Sequence, residues 1–290
     1  MFPIETKKLK ITLEIVPVSS LFSHEAVLEP SASKLVLEFK NLASLQNPII
    51  VDENHVVLDG NHRAYAFKVL RFKYIPVCKI DYFNRRTKLR YWFRLLGNLP
   101  QKELVESIIT SLGGTLEAQP NRSALERALE ENCFACGLQS GAGFDLVSFP
   151  DNDACDAVDA YMRIQKIQDR LADRSVALSY IPCKAVKEDT FPAQLKSDQM
   201  VLWTPRITKQ MVVDCAKLRK VFAPKTTRHV IPVRPLNVNM PGQWFRENWT
   251  LAEINQNFHT FLKGKRVKRF SPGMVLDGRY YEEELIVFYR

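Results

Sequence analysis

The stretch from Pro48 to Val77 constrains this chain more than any other. Pro48-Ile49-Ile50-Val51 is an apolar run, Asp52-Glu53-Asn54-His55 a polar turn and Val56-Val57-Leu58 a second apolar run, which together read as a hairpin. Asp59-Gly60-Asn61-His62-Arg63 comes next. Ala64, Ala66, Phe67, Val69 and Leu70 then supply one face of a short helix, and Tyr74-Ile75-Pro76-Val77 resumes as strand. A strand that passes through Asp-Gly straight into a helix leaves unbonded backbone N–H groups at that helix start, where anions bind. His62 and Arg63 lie on the same first turn, so a phosphate would meet amide donors and cationic side chains together.

The flanking sequence builds a compact α/β unit around this corner. Ile11, Leu13, Ile15 and Val16-Pro17-Val18 make an opening strand, alternating across Thr12 and Glu14. Ser19 to Glu25 is a turn, and Leu35, Val36, Leu37 and Phe39 fit a helix face entered through Pro30. The unit is expected to close near Ile80-Asp81-Tyr82. From about Arg85 to Glu131 the chain reads as helical, with Tyr91, Trp92, Leu95 and Leu96 on one helical spacing and Leu104, Ile108, Ile109 and Leu112 on another. Gly113-Gly114 breaks the run. Cys133 to Asp153 is rich in Gly, Ser and Asp and reads as a mobile loop. Beyond it come a helix over Ala157–Leu171, strands at Val176–Ile181 and Met200–Trp203, and a helix over Met211–Val221. Strands alternating with helices predict a second α/β layer. Residues beyond Met240 form a Lys/Arg-rich tail ending in an aromatic strand, Leu285 to Tyr289.

The chain has 290 residues, enough for one large or two modest domains. Its net charge of +9 is uneven: +6 over residues 1–100, −8 over 101–160 and +11 over 161–290. Basic ends around an acidic middle suit anionic ligands and nucleic acid alike. Met1 to Lys10 mixes Pro, Glu and three Lys with no apolar h-region after it, and no run is long and apolar enough to span a membrane. The expected compartment is the cytoplasm. Of the six cysteines, Cys133 and Cys136 form a lone C-x-x-C without the further Cys or His a zinc site requires, so reduced, buried thiols are expected and no metal is assigned to them.

Two further elements carry chemistry. Ala223-Pro224-Lys225-Thr226-Thr227-Arg228-His229-Val230 packs two hydroxyls, two cations and a histidine into five consecutive residues, a composition suited to carboxylate or phosphate. His24-Glu25, just after the first strand, puts a carboxylate where it can act as a general base.

Together the three elements resemble the free L-serine kinases built on the ParB/sulfiredoxin-like fold, over about Ile15 to Asn239. The resemblance implies an α/β (α+β) fold: a ParB/sulfiredoxin-like nucleotide-binding domain over 1–96, a second α/β domain over 97–240 with a substrate loop at 224–232, and a C-terminal extension over 241–290. The active site is expected in the cleft between the two domains. The implied reaction moves a phosphoryl group from ATP or ADP, with Mg²⁺, to the hydroxyl of L-serine. Glu25 falls on the family's catalytic base. Asp59, Gly60, Asn61, His62 and Arg63 fall on its nucleotide-binding corner, with Asp59 also catalytic and metal-associated. Lys225, Thr226, Thr227, Arg228 and His229 fall on its substrate loop, and Trp92 on a weaker serine-binding counterpart. The extended tail resembles the bacterial, ATP-dependent branch that supplies siderophore precursors. Sulfiredoxin chemistry is missing, because Asn61 stands where its cysteine would be. Chromosome-partitioning ParB proteins carry Gly-Glu-Arg-Arg at the corner, which is absent here. A ParB-like nucleotide- and DNA-binding regulator without kinase activity is the alternative, on the strength of the basic segment Lys263–Arg269.

Overall fold

The computed structural model describes residues 1–132, 134–150, 156–183 and 195–289. The chain forms two compact units: Met1–Leu89 with Ala216–Arg219 and His229–Arg290, and Arg90–Cys215 with Lys220–Arg228.

The first unit opens with strands β1 (Phe2–Glu5) and β2 (Lys10–Pro17), helix α1 (Glu29–Phe39), strands β3 (Ser44–Leu45), β4 (Ile49–Val51) and β5 (Val57–Asp59), helix α2 (Asn61–Val69) and strand β6 (Tyr74–Ile80). Five of the strands make one sheet in the order β1-β2-β6-β4-β5. β4 runs parallel to β6, and the other neighbours are antiparallel. The alternation in β2 puts Ile11, Leu13 and Ile15 inside, and Ile49, Val51, Val57, Ile75 and Val77 are equally buried across the sheet. Asp52 closes the β4–β5 turn: its Oδ1 accepts from the amides of Asn54 at 2.9 Å and Val56 at 2.7 Å. Phe67 of α2 packs edge-on against Phe39, Phe72 and Phe245, which seats the helix.

Strand β7 (Lys88–Arg90) leads to the second unit: β8 (Trp92–Gly97), α3 (Glu103–Ser111), β9 (Thr115–Gln119), α4 (Arg122–Glu131), β10 (Cys136–Ser140), β11 (Gly143–Ser148), α5 (Ala157–Ala172), β12 (Ala177–Pro182), β13 (Met200–Trp203) and α6 (Lys209–Lys217). Its sheet, β12-β8-β13-β10-β11-β9, is antiparallel at every pairing. Both faces are covered. Met200 and Leu202 pack with Ile108, Ile164 and Ile167 from α3 and α5, whereas Val201 and Trp203 pack with Leu125 and Leu129 from α4.

The chain continues through β14 (Arg228–Val230), β15 (Val233–Leu236), β16 (Met240–Pro241), α7 (Leu251–Lys263), β17 (Arg266–Phe270), β18 (Met274–Leu276), β19 (Arg279–Tyr281) and β20 (Glu284–Tyr289). β20 pairs in parallel with β15 and antiparallel with β17. β1 stops opposite Leu13, and there α7 takes over the sheet edge. Asn255 Oδ1 accepts from the Ile15 amide at 2.9 Å, and its Nδ2 donates to the Ile15 carbonyl at 2.9 Å.

Three sequence expectations are corrected. Tyr91 to Leu96 is not helical: Trp92 to Gly97 is the strand β8, with Arg94 and Leu96 on one face and Phe93 and Leu95 on the other. The described part of Cys133–Asp153 is largely the hairpin β10–β11, with Cys133 and Asp151–Asp153 outside the described residues. The tail beyond Met240 ends in the expected aromatic strand, β20, but before it also forms the helix α7 and the strands β17, β18 and β19. Cys78, Cys136, Cys183 and Cys215 are buried and in no disulfide among the described residues, and the expectation for Cys133 and Cys155 lies outside the described residues.

Candidate functional site

In the first unit the corner forms where β5 meets α2. Gly60 is the N-cap, with φ +97° and ψ 26°, a conformation that glycine adopts without a Cβ clash. Among the described residues no side-chain hydrogen bond caps the helix, and helix starts of this kind favour anions. Asn61 Oδ1 is buried without a hydrogen-bond partner among the described residues. His62 Nε2 accepts from the Leu28 amide at 3.1 Å, which leaves Nδ1 as the protonated nitrogen. Here His62 acts as a hydrogen-bonding group that anchors the Glu25-bearing segment to α2.

Arg63 is tied down more tightly than an open phosphate ligand. Its Nη1 donates to the Asn47 and Pro48 carbonyls at 2.6 and 2.9 Å, and its Nη2 meets Asp59 Oδ2 at 3.1 Å. The same Asp59 oxygen takes Arg234 Nη1 at 2.7 Å, while Arg234 Nε meets Glu283 Oε1 at 2.6 Å. Arg63, Asp59, Arg234 and Glu283 therefore form one alternating charge chain. Burial alone would raise the Asp59 pKa, but Arg234 and Arg63 outweigh it and hold the carboxyl well below its usual range. Burial would lower the Arg234 pKa, and the carboxylates of Asp59 and Glu283 raise it instead.

The Glu25 segment lies beside this corner. The Phe22 amide donates to the His55 carbonyl at 3.0 Å, and the Val57 amide donates to the Phe22 carbonyl at 2.9 Å. His24 is fully buried, and burial lowers its pKa to about 4 against a smaller opposing effect from its backbone hydrogen bond at Val57. Its ring meets that of His229 edge-on at 5.3 Å, and the Tyr82 hydroxyl lies 2.8 Å from His229 Nε2. Glu25 itself is half-buried.

In the second unit the loop before β14 is braced by β8. Arg94 is fully buried; its Nη1 donates to the carbonyls of Trp92 at 2.9 Å and Lys225 at 3.0 Å, and its Nε donates to Gln168 Oε1 at 2.9 Å. Trp92 Nε1 donates to the Thr227 carbonyl at 3.0 Å, and Lys225 Nζ sits 4.5 Å from the Trp92 ring centroid. Thr226 Oγ1 donates to the Ala223 carbonyl at 2.7 Å and is buried. Arg228 Nη1 donates to the Cys183 carbonyl at 3.3 Å. Lys225 has φ +61°, so the turn holds a non-glycine residue in the left-handed region.

Thus Glu25, Asp59, Gly60, Asn61, His62, Arg63 and His229 belong to the first unit, and Trp92, Lys225, Thr226, Thr227 and Arg228 to the second. Sequence reading missed Arg234, which sets the charge of Asp59, and Arg94, which holds the loop. The available signal in each case was a single arginine inside an apolar strand, where a charge requires a partner.

Comparison with protein-family models finds no match. Over 237 residues the chain is 27% identical to an ATP-dependent L-serine kinase of Staphylothermus marinus, spanning 78% of this chain and 88% of that one. Over 247 residues it is 23% identical to an ADP-dependent L-serine kinase, SerK, of Thermococcus kodakarensis, spanning 82% and 94%. Its fold is similar to the solved structure of a free serine kinase in complex with AMP, with TM-score 0.64 and 21% identity over 83% of this chain and 96% of that one.

Proposed function

We infer that this chain is a free L-serine kinase of the ParB/sulfiredoxin-like superfamily, a phosphotransferase that acts on a hydroxyl acceptor. One observation carries the reading. Relatives named as L-serine kinases match the chain over about four-fifths of its length, and the motifs that resemble the family coincide with an uncapped helix start and a braced polar loop. The ParB-like regulator is not favoured, because the relatives spanning most of the chain are named as kinases.

In the proposed reaction, the L-serine hydroxyl oxygen attacks the terminal phosphorus of the donor in line. The bond from that phosphorus to the bridging oxygen breaks, ADP leaves if ATP is the donor, and the hydroxyl proton passes to Glu25. Such a transfer depends mostly on positioning and charge neutralisation. The amides at Gly60–Arg63 are assigned to the donor phosphates, with the Arg63 charge behind them and Asn61 Oδ1 as an acceptor for donor or water. Thr226, Thr227, Arg228, His229 and Lys225 are assigned to the serine carboxylate and the transferring group, with Trp92 supporting the serine side. ATP is favoured as donor, since the relative named as ATP-dependent is 27% identical and the ADP-dependent one 23%.

Mg²⁺ fits this arrangement only as a donor-borne ion. No group of three metal-ligating side chains occurs among the described residues, and Asp59 Oδ2 is committed to two guanidinium groups. Asp59 Oδ1 would then be the single protein carboxylate, directly or through water, for an ion held chiefly by phosphates. The ion would supply neutralisation of phosphate charge. The proposed setting is cytoplasmic, with O-phospho-L-serine feeding siderophore-precursor or related amino-acid metabolism. The test incubates the full chain with L-serine, Mg²⁺ and either ATP or ADP and looks for O-phospho-L-serine by mass spectrometry. Product with neither nucleotide overturns the assignment.

A further inference from the structure

The first unit contains a basic cavity whose cations the kinase reading does not assign. It measures about 780 Å³ and is lined by Lys7, Lys8, Arg85, Arg86, Lys88 and Glu283, with Val230 to Pro232 as its apolar part. Neither Asp59 nor Arg63 lines it. Four short segments converge to make it: the β1–β2 turn, the stretch after β6 into β7, the β14–β15 turn and the approach to β20. The five cations form no ion pair among the described residues, whereas Glu283 is already neutralised by Arg234 at 2.6 Å. Glu282, on the same rim, is the other carboxylate. Arg86 also donates to the Lys7 carbonyl, which fixes the two cationic segments against each other.

Cations gathered in a concavity repel one another and focus a positive field, and both effects are relieved by an anion. The volume lies in the range of small-ligand sites rather than of macromolecular faces. A smaller cavity of about 340 Å³ shares Lys7 and Lys8 and adds Arg269, so the positive field extends past the first opening. Arginines suit bidentate contact with phosphate oxygens, and lysines add point charge.

We propose that this cavity is a second anion site, separate from the Asp59–Arg63 corner, for a compact ligand carrying a chain of two or three phosphates. Inorganic polyphosphate and a nucleotide share that chemistry. The site does not depend on the kinase reading, and its failure would leave that reading untouched.

The test is calorimetric titration of the full chain with inorganic tripolyphosphate at low salt, where charge-driven binding is least screened. Lys8→Glu/Lys88→Glu should weaken binding by about tenfold or more, and a charge-matched control on exposed lysines, Lys34→Glu/Lys68→Glu, by no more than about twofold. The Lys8→Glu/Lys88→Glu variant should keep the wild-type thermal midpoint within a few degrees, because Lys88 is exposed and Lys8 is only half-buried. Unchanged affinity in the double variant overturns the proposal, as does loss of all binding in Arg63→Gln, which would make the corner the binding site. Titration with ATP separates the sources: equal affinity for ATP and tripolyphosphate assigns the phosphate chain alone, and tighter ATP binding lost in the double variant assigns a nucleotide. A preference above about tenfold for a 20-base single-stranded oligonucleotide over tripolyphosphate overturns the compact-ligand assignment.

Discussion

At the scale of single residues, the candidate chemistry rests on a few carboxylates with different surroundings. Glu25 is half-buried beside the corner, whereas Asp59 is locked between two guanidinium groups. A carboxylate held that firmly in its ionised form is a poor proton acceptor, which leaves Glu25 as the better base. Glu25→Gln keeps size and hydrogen bonding but removes basicity, so kcat should fall by about 10²–10⁴-fold. Nucleotide affinity should stay within about twofold, since Glu25 is assigned to the acceptor side. Steady-state kinetics with an equilibrium nucleotide titration reads both, and unchanged kcat would remove Glu25 from the chemistry. Arg234 presents a different test. Its side chain is 12% exposed and Glu283 is 11% exposed, so Arg234→Met strands the Glu283 carboxylate, leaves Asp59 with Arg63 alone and should cost about 3 kcal/mol in denaturant unfolding. Adding Glu283→Leu to Arg234→Met should recover part of that loss, because the stranded charge is then gone. The sequence could not name this pairing, for Arg234 lies 175 positions from Asp59 and 49 from Glu283.

At the scale of elements, the corner depends on how β5 hands the chain to α2. A Cβ at Gly60 would lie 2.6 Å from Ile49 Cγ2 and 2.9 Å from Arg63 Nη2, in a backbone conformation that disfavours any L side chain. Gly60→Ala should therefore cost about 1–2 kcal/mol and displace Arg63, raising the KM for the nucleotide donor more than it lowers kcat. An unaltered nucleotide KM would detach the corner from donor binding. This hairpin and helix were legible because two short apolar runs are bounded by distinct polar turn residues and the helix after them has one apolar face. Strand β8 was not, because both its faces are covered and the alternation that marks a half-buried strand disappears. What remains, Tyr91, Trp92, Leu95 and Leu96, fits helical spacing equally well. The β10–β11 hairpin was missed for another reason. Gly137 resembles loop glycine, but a Cβ there would lie 2.8 Å from Leu125 Cδ2 and 3.1 Å from Trp203 Cβ, so its smallness serves packing within a strand. Helix α7 was hidden in a charged tail, although Thr250 and Glu253 form a capping box at its start. Its role is testable at Asn255: replacing this residue by Leu leaves the Ile15 amide and carbonyl without their partners, which should cost about 2 kcal/mol in unfolding free energy. A wild-type unfolding midpoint would mean that water replaces the side chain at this edge.

At the scale of the whole molecule, these local arrangements meet in the pH dependence of stability. His24 is buried with its pKa lowered to about 4, from an ordinary value of 6.5. Above pH 6.5 both folded and unfolded chains hold it neutral, and it has no effect on the balance. Between 6.5 and 4 the unfolded chain takes up a proton that the folded chain refuses, so stability declines as pH falls through this window. The loss from His24 reaches about 3 kcal/mol at most. His55, whose pKa burial also lowers, acts in the same direction. Asp52 acts against them, because burial raises its pKa and the folded state then holds its proton more readily than the unfolded chain. Asp59 enters only below this window: its depressed pKa keeps its stabilisation intact until the pH falls beneath the ordinary carboxylate range. The expected profile is thus a slope between pH 6.5 and 4 that His24 dominates, followed by a further fall below the ordinary carboxylate range as Asp59 is protonated. Denaturant unfolding of wild type and His24→Leu at half-unit steps separates the two phases. His24→Leu should flatten the first slope and leave the second in place, whereas identical profiles would mean that His24 is protonated in the folded protein with water or a carboxylate as its partner.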